Sequence, residues 1–397
     1  MAQRTALISG GGIAGPAAAY WLNAAGWKTT LVERAPAPRR GGYVIDFWGV
    51  GYELAERMGL KASIEREGYH VGEVRIVGER GQRVAGFGTR VFDELTDGRF
   101  VTVPRSGLAQ MLLDAIAPST EIAFGEEVAA ILGQGEDGVR VRMASGAERR
   151  FDLVLGADGL HSGVRRLAFG PDERFERPLG YAVAAFEAGG YPRRDPDVYL
   201  MHTRPGRMLA RFTEHGERSL FLFVFTLDGE APATVAEQKA LLHARFGADG
   251  WEAPQILARL DQTADLYFDR VSQIVAPTWS QGRIALSGDA AFAVSLLAGQ
   301  GSALAILSGY VLASELADPK VPIEAGLAAY ERRLRGFVEG KQAAARRFGG
   351  AFAPRTPLGL AFRNLVVRAL AIPGLAKLAI GAEIIDRFPL PACGLLR

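Results

Sequence analysis

The chain has 397 residues, 48% hydrophobic and 23% charged, with 46 Lys and Arg against 44 Asp and Glu. Without low-complexity tracts, that composition describes a globular chain able to bury a sizeable core. A net charge of +2, with no basic run interleaved with aromatics, gives no footing for nucleic acid. The single cysteine, Cys393, excludes an intramolecular disulfide framework, a cysteine zinc site and an iron–sulfur cluster. No metal site is expected.

The first strand starts close to Met1, leaving no room for a signal peptide, so a cytoplasmic protein is expected. Residues 6–8 read as a buried parallel strand. It stops at Gly10-x-Gly12-x-x-Gly15, and a run of helix formers follows over 16–25. Gly10 allows a tight turn, Gly12 lets the backbone approach a pyrophosphate, and Gly15 lets helix and strand pack closely. The helix N-terminus, with Ile13 and Ala14 inside the motif, offers free N–H groups and a positive dipole end to phosphate. A second strand over 28–32 ends in Glu33, about 20 residues on, where an acid meets ribose hydroxyls. Strand, glycine loop, helix and terminal acid together point to a dinucleotide site.

A turn-rich loop with Pro36 and Pro38 leads to a short strand over 43–47 and a helix over 52–58. Residues 71–91 alternate as a hairpin or meander does. A strand over 101–103 runs into a helix opened by Pro104-Arg105-Ser106, with Leu108, Met111, Leu112 and Ile116 at helical spacing. Strands over 121–143 break at Gly133–Gly138, and 151–155 is again a buried strand, running into Gly156-Ala157-Asp158-Gly159. From 180 to 226 the pattern switches to period two, predicting an antiparallel sheet of about four strands. Thr234-x-x-Glu237 is a capping box. A buried strand over 282–287 then ends in Gly288-Asp289, and Gly299-Gln300-Gly301 precedes an apolar helix over 302–316 and a long charged one over 323–347. No window of about 18 uninterrupted apolar residues exists to span a bilayer. The nearest, 357–385, is broken by Arg363, Arg368, Pro373 and Lys377 and reads as one or two amphipathic helices, with membrane-surface attachment as the alternative. There is no internal repeat.

The expected fold is α/β, a Rossmann-like dinucleotide-binding domain with an inserted antiparallel-sheet domain and C-terminal helices. The first would comprise 1–72, 98–176 and 270–345, the sheet domain 73–97 and 177–269, and the helical segment 346–397.

Three stretches in order, Gly10-x-Gly12-x-x-Gly15 with Glu33-Arg34, Gly156-Ala157-Asp158-Gly159, and Gly288-Asp289-Ala290-Ala291 with Gly299-Gln300-Gly301, resemble the FAD-dependent aromatic hydroxylases, the p-hydroxybenzoate hydroxylase-like flavoprotein monooxygenases. The Gly41-Gly42-Tyr43-Val44-Ile45-Asp46 stretch is similar to the tetracycline-inactivating branch. The resemblance implies FAD, its ADP part on Gly10, Gly12, Ile13, Ala14, Gly15, Glu33 and Arg34, its ribitol and ring near Asp289, Gly299, Gln300 and Gly301. It places Arg105 along the FAD, Arg40 or Arg39 before an active-site strand, Asp46 near the flavin, and Asp158 between FAD and the nicotinamide cofactor. Phe292 stands where the family often has His, Ser295-Leu296-Leu297-Ala298 lacks the usual proline, and the following helix has Ala303, Leu307 and Ser308 in place of Asn and Glu-Asp.

The implied activity is NADPH- or NADH-driven reduction of FAD, uptake of molecular oxygen and transfer of one oxygen from a flavin hydroperoxide to a hydrophobic aromatic or polyketide-like small molecule. No protein nucleophile is required, since the cofactor does the chemistry. Arg207, Arg211 and Phe223 of the inserted sheet are the substrate-contact candidates, with core packing as the competing role for its aromatics; His202 reads as structural or exposed. The five tryptophans (Trp21, Trp27, Trp48, Trp251, Trp279) form no Trp-x-Trp pair, which argues against a flavin halogenase. A flavin oxidase or dehydrogenase, and a flavin-holding sequestering protein, remain as alternatives.

Overall fold

The computed structural model describes residues 3–38, 43–192, 194–213, 218–372, 374, 375, 377 and 388–392. Arg39, Arg40 and Cys393 lie outside the described residues.

Strand β1 (Thr5–Ser9) leads through the glycine loop into α1 (Ala14–Ala24), and the chain returns as β2 (Lys28–Glu33). β3 (Val44–Trp48), α2 (Gly49–Arg57) and α3 (Lys61–Glu67) precede a hairpin of β4 (Glu73–Val77) and β5 (Arg83–Gly88). Then come α4 (Arg90–Leu95), β6 (Phe100–Pro104) and α5 (Arg105–Ile116). Strands β7 (Thr120–Phe124), β8 (Val128–Gly135), β9 (Gly138–Met143), β10 (Glu148–Phe151) and β11 (Leu153–Gly156) are followed by α6 (Gly163–Ala168). Four long strands come next, β12 (Glu176–Gly189), β13 (Val198–Arg204), β14 (Arg207–Thr213) and β15 (Arg218–Thr226). After α7 (Val235–Phe246) and α8 (Ala253–Gln262) come β16 (Tyr267–Ile274), β17 (Ser280–Gln281), β18 (Ile284–Leu286) and α9 (Asp289–Phe292). The helices α10 (Gly301–Glu315), α11 (Ile323–Phe352) and α12 (Pro357–Ala369) complete the order. Thr234 and Glu237 form the reciprocal capping box of α7.

The first sheet has the order β17-β18-β11-β1-β2-β7, with β18, β11, β1, β2 and β7 mutually parallel. Its central strands are buried on both faces, which is why they read as continuous apolar runs. Helix α10 packs on α1 so closely that a Cβ at Gly309 would come 2.7 Å from the Ala18 nitrogen. The consequence for function is topological. Gly10, the 156–159 turn and Gly288-Asp289 follow the carboxyl ends of three adjacent strands, β1, β11 and β18, where open α/β sheets bind ligands.

The second sheet has seven strands in the order β16-β12-β15-β14-β13-β4-β5: the four expected over 180–226, β12 to β15, with β16 added on one side and the early hairpin on the other. The hairpin lies beyond β13, with β5 at the edge and β4 paired in parallel with β13, Val198 opposite Glu73. The boundary expected at residue 270 falls inside β16, which belongs wholly to this sheet. Directly opposed residues share a sheet face. The register therefore groups Phe221, Phe223 and Phe225 with Arg211, Leu209 and Arg207 on one face, and Leu220, Leu222 and Val224 with Phe212, Ala210 and Met208 on the other. The first, outer face packs under α7 and α8 through Leu242, Phe246, Ile256 and Leu260. The second, inner face carries Tyr267 of β16 and gathers Tyr43 and Val44 from the start of β3 and Leu296 and Leu297 from the segment between α9 and α10. Among the described residues no helix is long and apolar enough to cross a membrane.

Candidate active site

The glycine loop is shaped by contacts that only glycine permits. Gly10 sits at φ +114°, where a Cβ would lie 2.4 Å from the Ala157 carbonyl oxygen. At Gly15 a Cβ would stand 1.9 Å from the Gly10 oxygen. Gly12 differs, because the nearest atom to its absent Cβ is Arg105 Nη2 at 3.8 Å, so the space beside it is open. Ile13 caps α1 and Ala14 begins it; both side chains are buried, so what they offer a ligand is backbone N–H. No acidic side chain occupies the first turn of α1 to compete with an anion. Glu33 ties the loop down, Oε2 accepting from the Gly11 N–H at 2.7 Å and Oε1 from the Ala35 N–H at 2.9 Å. Arg34 follows it, exposed.

Beyond the loop, Arg105 opens α5 with its guanidinium 5.9 Å from the Tyr43 ring centre, and Tyr43 lies 5.4 Å from Tyr267. Its side chain has no hydrogen bond or ion pair among the described residues. Tyr43 and, less strongly, Asp289 and Tyr267 raise its pKa against the effect of burial, keeping it a cation. Asp289, at the head of α9, also has no side-chain hydrogen bond among the described residues. Burial pushes its carboxyl up from the usual range, and Arg105 opposes the shift. Gly299 (φ +67°), Gln300 and Gly301 make the turn into α10, and a Cβ at Gly301 would lie 3.7 Å from Asp289 Oδ1. Asp158 is committed locally, accepting from Ser162 Oγ at 2.5 Å and from the Gly163 and Val164 N–H groups at 2.8 and 3.2 Å, so it holds the start of α6. Burial raises its pKa despite these bonds.

Asp46 occupies a second polar knot. Its Oδ1 accepts from Thr102 Oγ1 at 2.6 Å and from Tyr199 OH at 2.9 Å. Burial raises its carboxyl pKa against both bonds, and burial together with Asp46 holds the Tyr199 phenol far above its usual value. Val44, Asp46 and Trp48 share one face of β3. Val44 meets the inner-face cluster and Trp48 lies 3.7 Å from the Cβ position of Gly299, so Asp46 sits between the Gly299 loop and the seven-stranded sheet.

Three substrate-contact candidates require correction. Arg207, Arg211 and Phe223 lie on the outer face of the sheet, turned to α7, α8 and their loops. Arg207 is engaged by Asp249, Nε to Oδ2 at 2.9 Å and Nη2 to Oδ1 at 2.5 Å. Arg211, 1% exposed, pairs with Glu252 at 3.0 Å and Asp195 at 3.3 Å. Phe223 is fully buried, 4.9 Å ring to ring from Phe246. His202 is buried too, with Nδ1 3.2 Å from the Val77 carbonyl oxygen. The role of Phe223 is then packing alone, and Phe223→Ala is expected to cost about 3–5 kcal/mol of stability in urea denaturation while leaving FAD affinity unchanged. A stable variant with weakened FAD or substrate binding would restore the binding role.

Sequence reasoning missed Tyr267, Tyr199 and Thr102. Thr102 lies directly opposite Asp46 across the β3–β6 pair. The two tyrosines come from the distant sheet, and no local signal marks them.

The residues present fit FAD: an open glycine loop at a free helix N-terminus, an uncompensated cation beside it, and an unpartnered carboxylate next to a second helix start. The model of the FAD binding domain family matches residues 3–340. An uncharacterized protein of Mycobacterium tuberculosis is 37% identical over 86% of this chain and 92% of its own length. A flavin-dependent monooxygenase of an unknown prokaryotic organism is 33% identical over 85% of this chain and 87% of its own length. Among solved structures, the tetracycline destructase Tet(51) superposes with a TM-score of 0.83 at 28% identity, over 99% of this chain and 100% of its own. Klebsiella pneumoniae HpxO, complexed with FAD and uric acid, shares the fold at a TM-score of 0.79 and 23% identity, over 96% of this chain and 95% of its own. The chain belongs to the FAD-binding-domain family and, within it, to the FAD-dependent monooxygenases.

Proposed function

We propose that the protein hydroxylates a hydrophobic, multi-ring aromatic or polyketide-like small molecule, with NADPH or NADH as reductant. The observation that carries this reading is the convergence of the open glycine loop, Arg105, Asp289 and the start of α10 at the ends of adjacent parallel strands, opposite an apolar sheet face. Bound FAD, once reduced, would supply the oxygen-activating chemistry. The chain's own part is to hold and shield. The α1 N-terminus and Arg105 hold the diphosphate, as charge-assisted donors do. Asp289 would accept a hydrogen bond from the cofactor's ribitol, and the first N–H groups of α10, from Gly301, would favour the negative charge that a reduced flavin carries. Phe212, Leu222 and Met201 of the inner face lie against the substrate and exclude water. Asp46, with Tyr199 and Thr102, positions a substrate hydroxyl. Asp158 acts indirectly, by fixing the 158–163 turn past which the nicotinamide approaches. The multi-ring substrate class takes support from the tetracycline destructase relative and from the breadth of the apolar inner face.

The test is anaerobic. FAD-loaded protein is mixed with NADPH, then NADH, with and without a panel of multi-ring phenols, and the yellow flavin absorbance is followed. Bleaching, then incorporation of labelled oxygen into product under air, is the expected result. Bleaching with no label in any product would point to an oxidase, and no bleaching with any addition to a sequestering protein.

A further inference from the structure

Helix α12 turns an apolar face to water. It lies against β5 and β13 at the edge of the second sheet, with Arg368 Nε donating to the Val84 carbonyl oxygen at 2.9 Å. Leu360, Arg363, Asn364 and Val367 form its half-buried side. The other side carries Leu358, Phe362 and Leu365, which are 83%, 67% and 62% exposed, with Val366 alongside. Spacings of four and three residues put the first three on one helix face. Ile372 and Leu375 follow in the turns beyond, exposed as well. Six of the nine large apolar side chains exposed among the described residues therefore lie within 358–375. Single exposed apolar residues are ordinary, but a cluster marks an interaction surface. The helix is built before anything docks on it: Thr356 Oγ1 accepts from the Gly359 N–H at 3.1 Å, and Pro357 takes the first helical position.

The charges around this face select its partner. Between Gly340 and Ala382 the sequence has seven Lys and Arg and no Asp or Glu. Arg355 and Arg368, exposed just before α12 and near its end, have no carboxylate partner among the described residues. Arg355 lies over the Tyr181 ring and donates to the Gly180 carbonyl oxygen, and Arg368 bonds only Val84. The carboxylates beside the segment are already matched, Glu94 by Lys377 and Glu79 by Arg204. Two copies of α12 laid face to face would set cation against cation along a seam where paired helices place opposite charges. An anionic bilayer answers both features, taking apolar side chains into its headgroup–acyl boundary and cations at its phosphates. We propose that the outer face of α12 docks the protein on the surface of an anionic lipid bilayer. Leu358, Phe362 and Leu365 enter the boundary, and Arg355 and Arg368 meet lipid phosphates.

The full-length, FAD-loaded protein is sedimented with sucrose-filled vesicles of phosphatidylcholine alone and of phosphatidylcholine with about one-third phosphatidylglycerol. At low salt it is expected to partition onto the anionic vesicles at least about tenfold more strongly than onto the neutral ones, the difference fading as salt is raised. The double variant Phe362→Ser, Leu365→Ser should bind anionic vesicles at least about tenfold more weakly than the wild type. Its melting temperature should stay at the wild-type value, since both side chains already face water. The double variant Arg355→Gln, Arg368→Gln should lose the anionic preference and keep the weak binding to neutral vesicles. No binding to either vesicle, equal binding to both, or undiminished binding by the serine variant overturns the proposal. A dimer in sedimentation equilibrium that the serine variant dissociates, with no vesicle binding, would make this face an interface between copies of the chain and overturn it too.

Discussion

Gly12→Ala is expected to yield a folded protein that holds FAD about 10- to 100-fold more weakly, the size of one or two lost charge-assisted hydrogen bonds. The added methyl meets nothing closer than Arg105 Nη2 at 3.8 Å, so the apoprotein has no reason to be strained. What the methyl occupies is the space through which a diphosphate would approach the backbone. Gly15→Ala makes the contrasting case, because its methyl would stand 1.9 Å from the Gly10 carbonyl oxygen, and that atom is backbone and cannot turn aside. A loss beyond about 4 kcal/mol is expected, in the class of severe steric lesions. Thermal melts of the two apoproteins and equilibrium FAD titration of Gly12→Ala separate the effects. Wild-type FAD affinity in Gly12→Ala would remove the diphosphate from this loop.

The second large effect is expected at Arg105. Its guanidinium stands beside Gly12 and over Tyr43 with no anion to answer it, Asp289 being near enough to feel but not to bond. Arg105→Met is expected to weaken FAD binding by about 1.5–3 kcal/mol, the worth of hydrogen bonds to a charged group. Apoprotein stability should be nearly unchanged, since the half-buried guanidinium makes no hydrogen bond or ion pair among the described residues and Met replaces its apolar stem. Isothermal titration with FAD, paired with melts of apoprotein, reads both effects at once. Weaker binding together with a lower apoprotein melting temperature would mean that Arg105 supports the fold rather than the cofactor.

The two variants bear on residues that were legible in the sequence for different reasons. The strand–loop–helix unit from Thr5 to Ala24 is local. Its apolar run, its glycines and its helix formers are consecutive, and each glycine's role follows from what its neighbours on the chain must do. Asp289 and the Gly299–Gly301 turn were legible in the same way, as a strand end and a helix start. Asp158 was legible as a position, but its hydrogen bonds to Ser162, Gly163 and Val164 are a property of the folded turn.

The seven-stranded sheet marks the limit. Period-two alternation says that Phe221, Phe223 and Phe225 share a face and that Leu220, Leu222 and Val224 share the other. It does not say which face meets the flavin side, because both are apolar and both are covered, one by α7 and α8 and the other by the nucleotide-binding half. Arg207 and Arg211 fell on the wrong side for that reason, their carboxylate partners Asp249, Asp195 and Glu252 arriving from loops and helix ends that no alternation pattern reveals.

By itself, then, the sequence determined the parallel nucleotide-binding unit, the glycine turns and the acids at strand ends, since these depend on interactions between residues close along the chain. Only the tertiary structure decided which sheet face looks inward, how Asp46 meets Tyr199 across 153 residues, and how Arg211 meets Asp195 and Glu252. Those contacts join segments brought together by burial of apolar surface, a force that is strong but carries no direction.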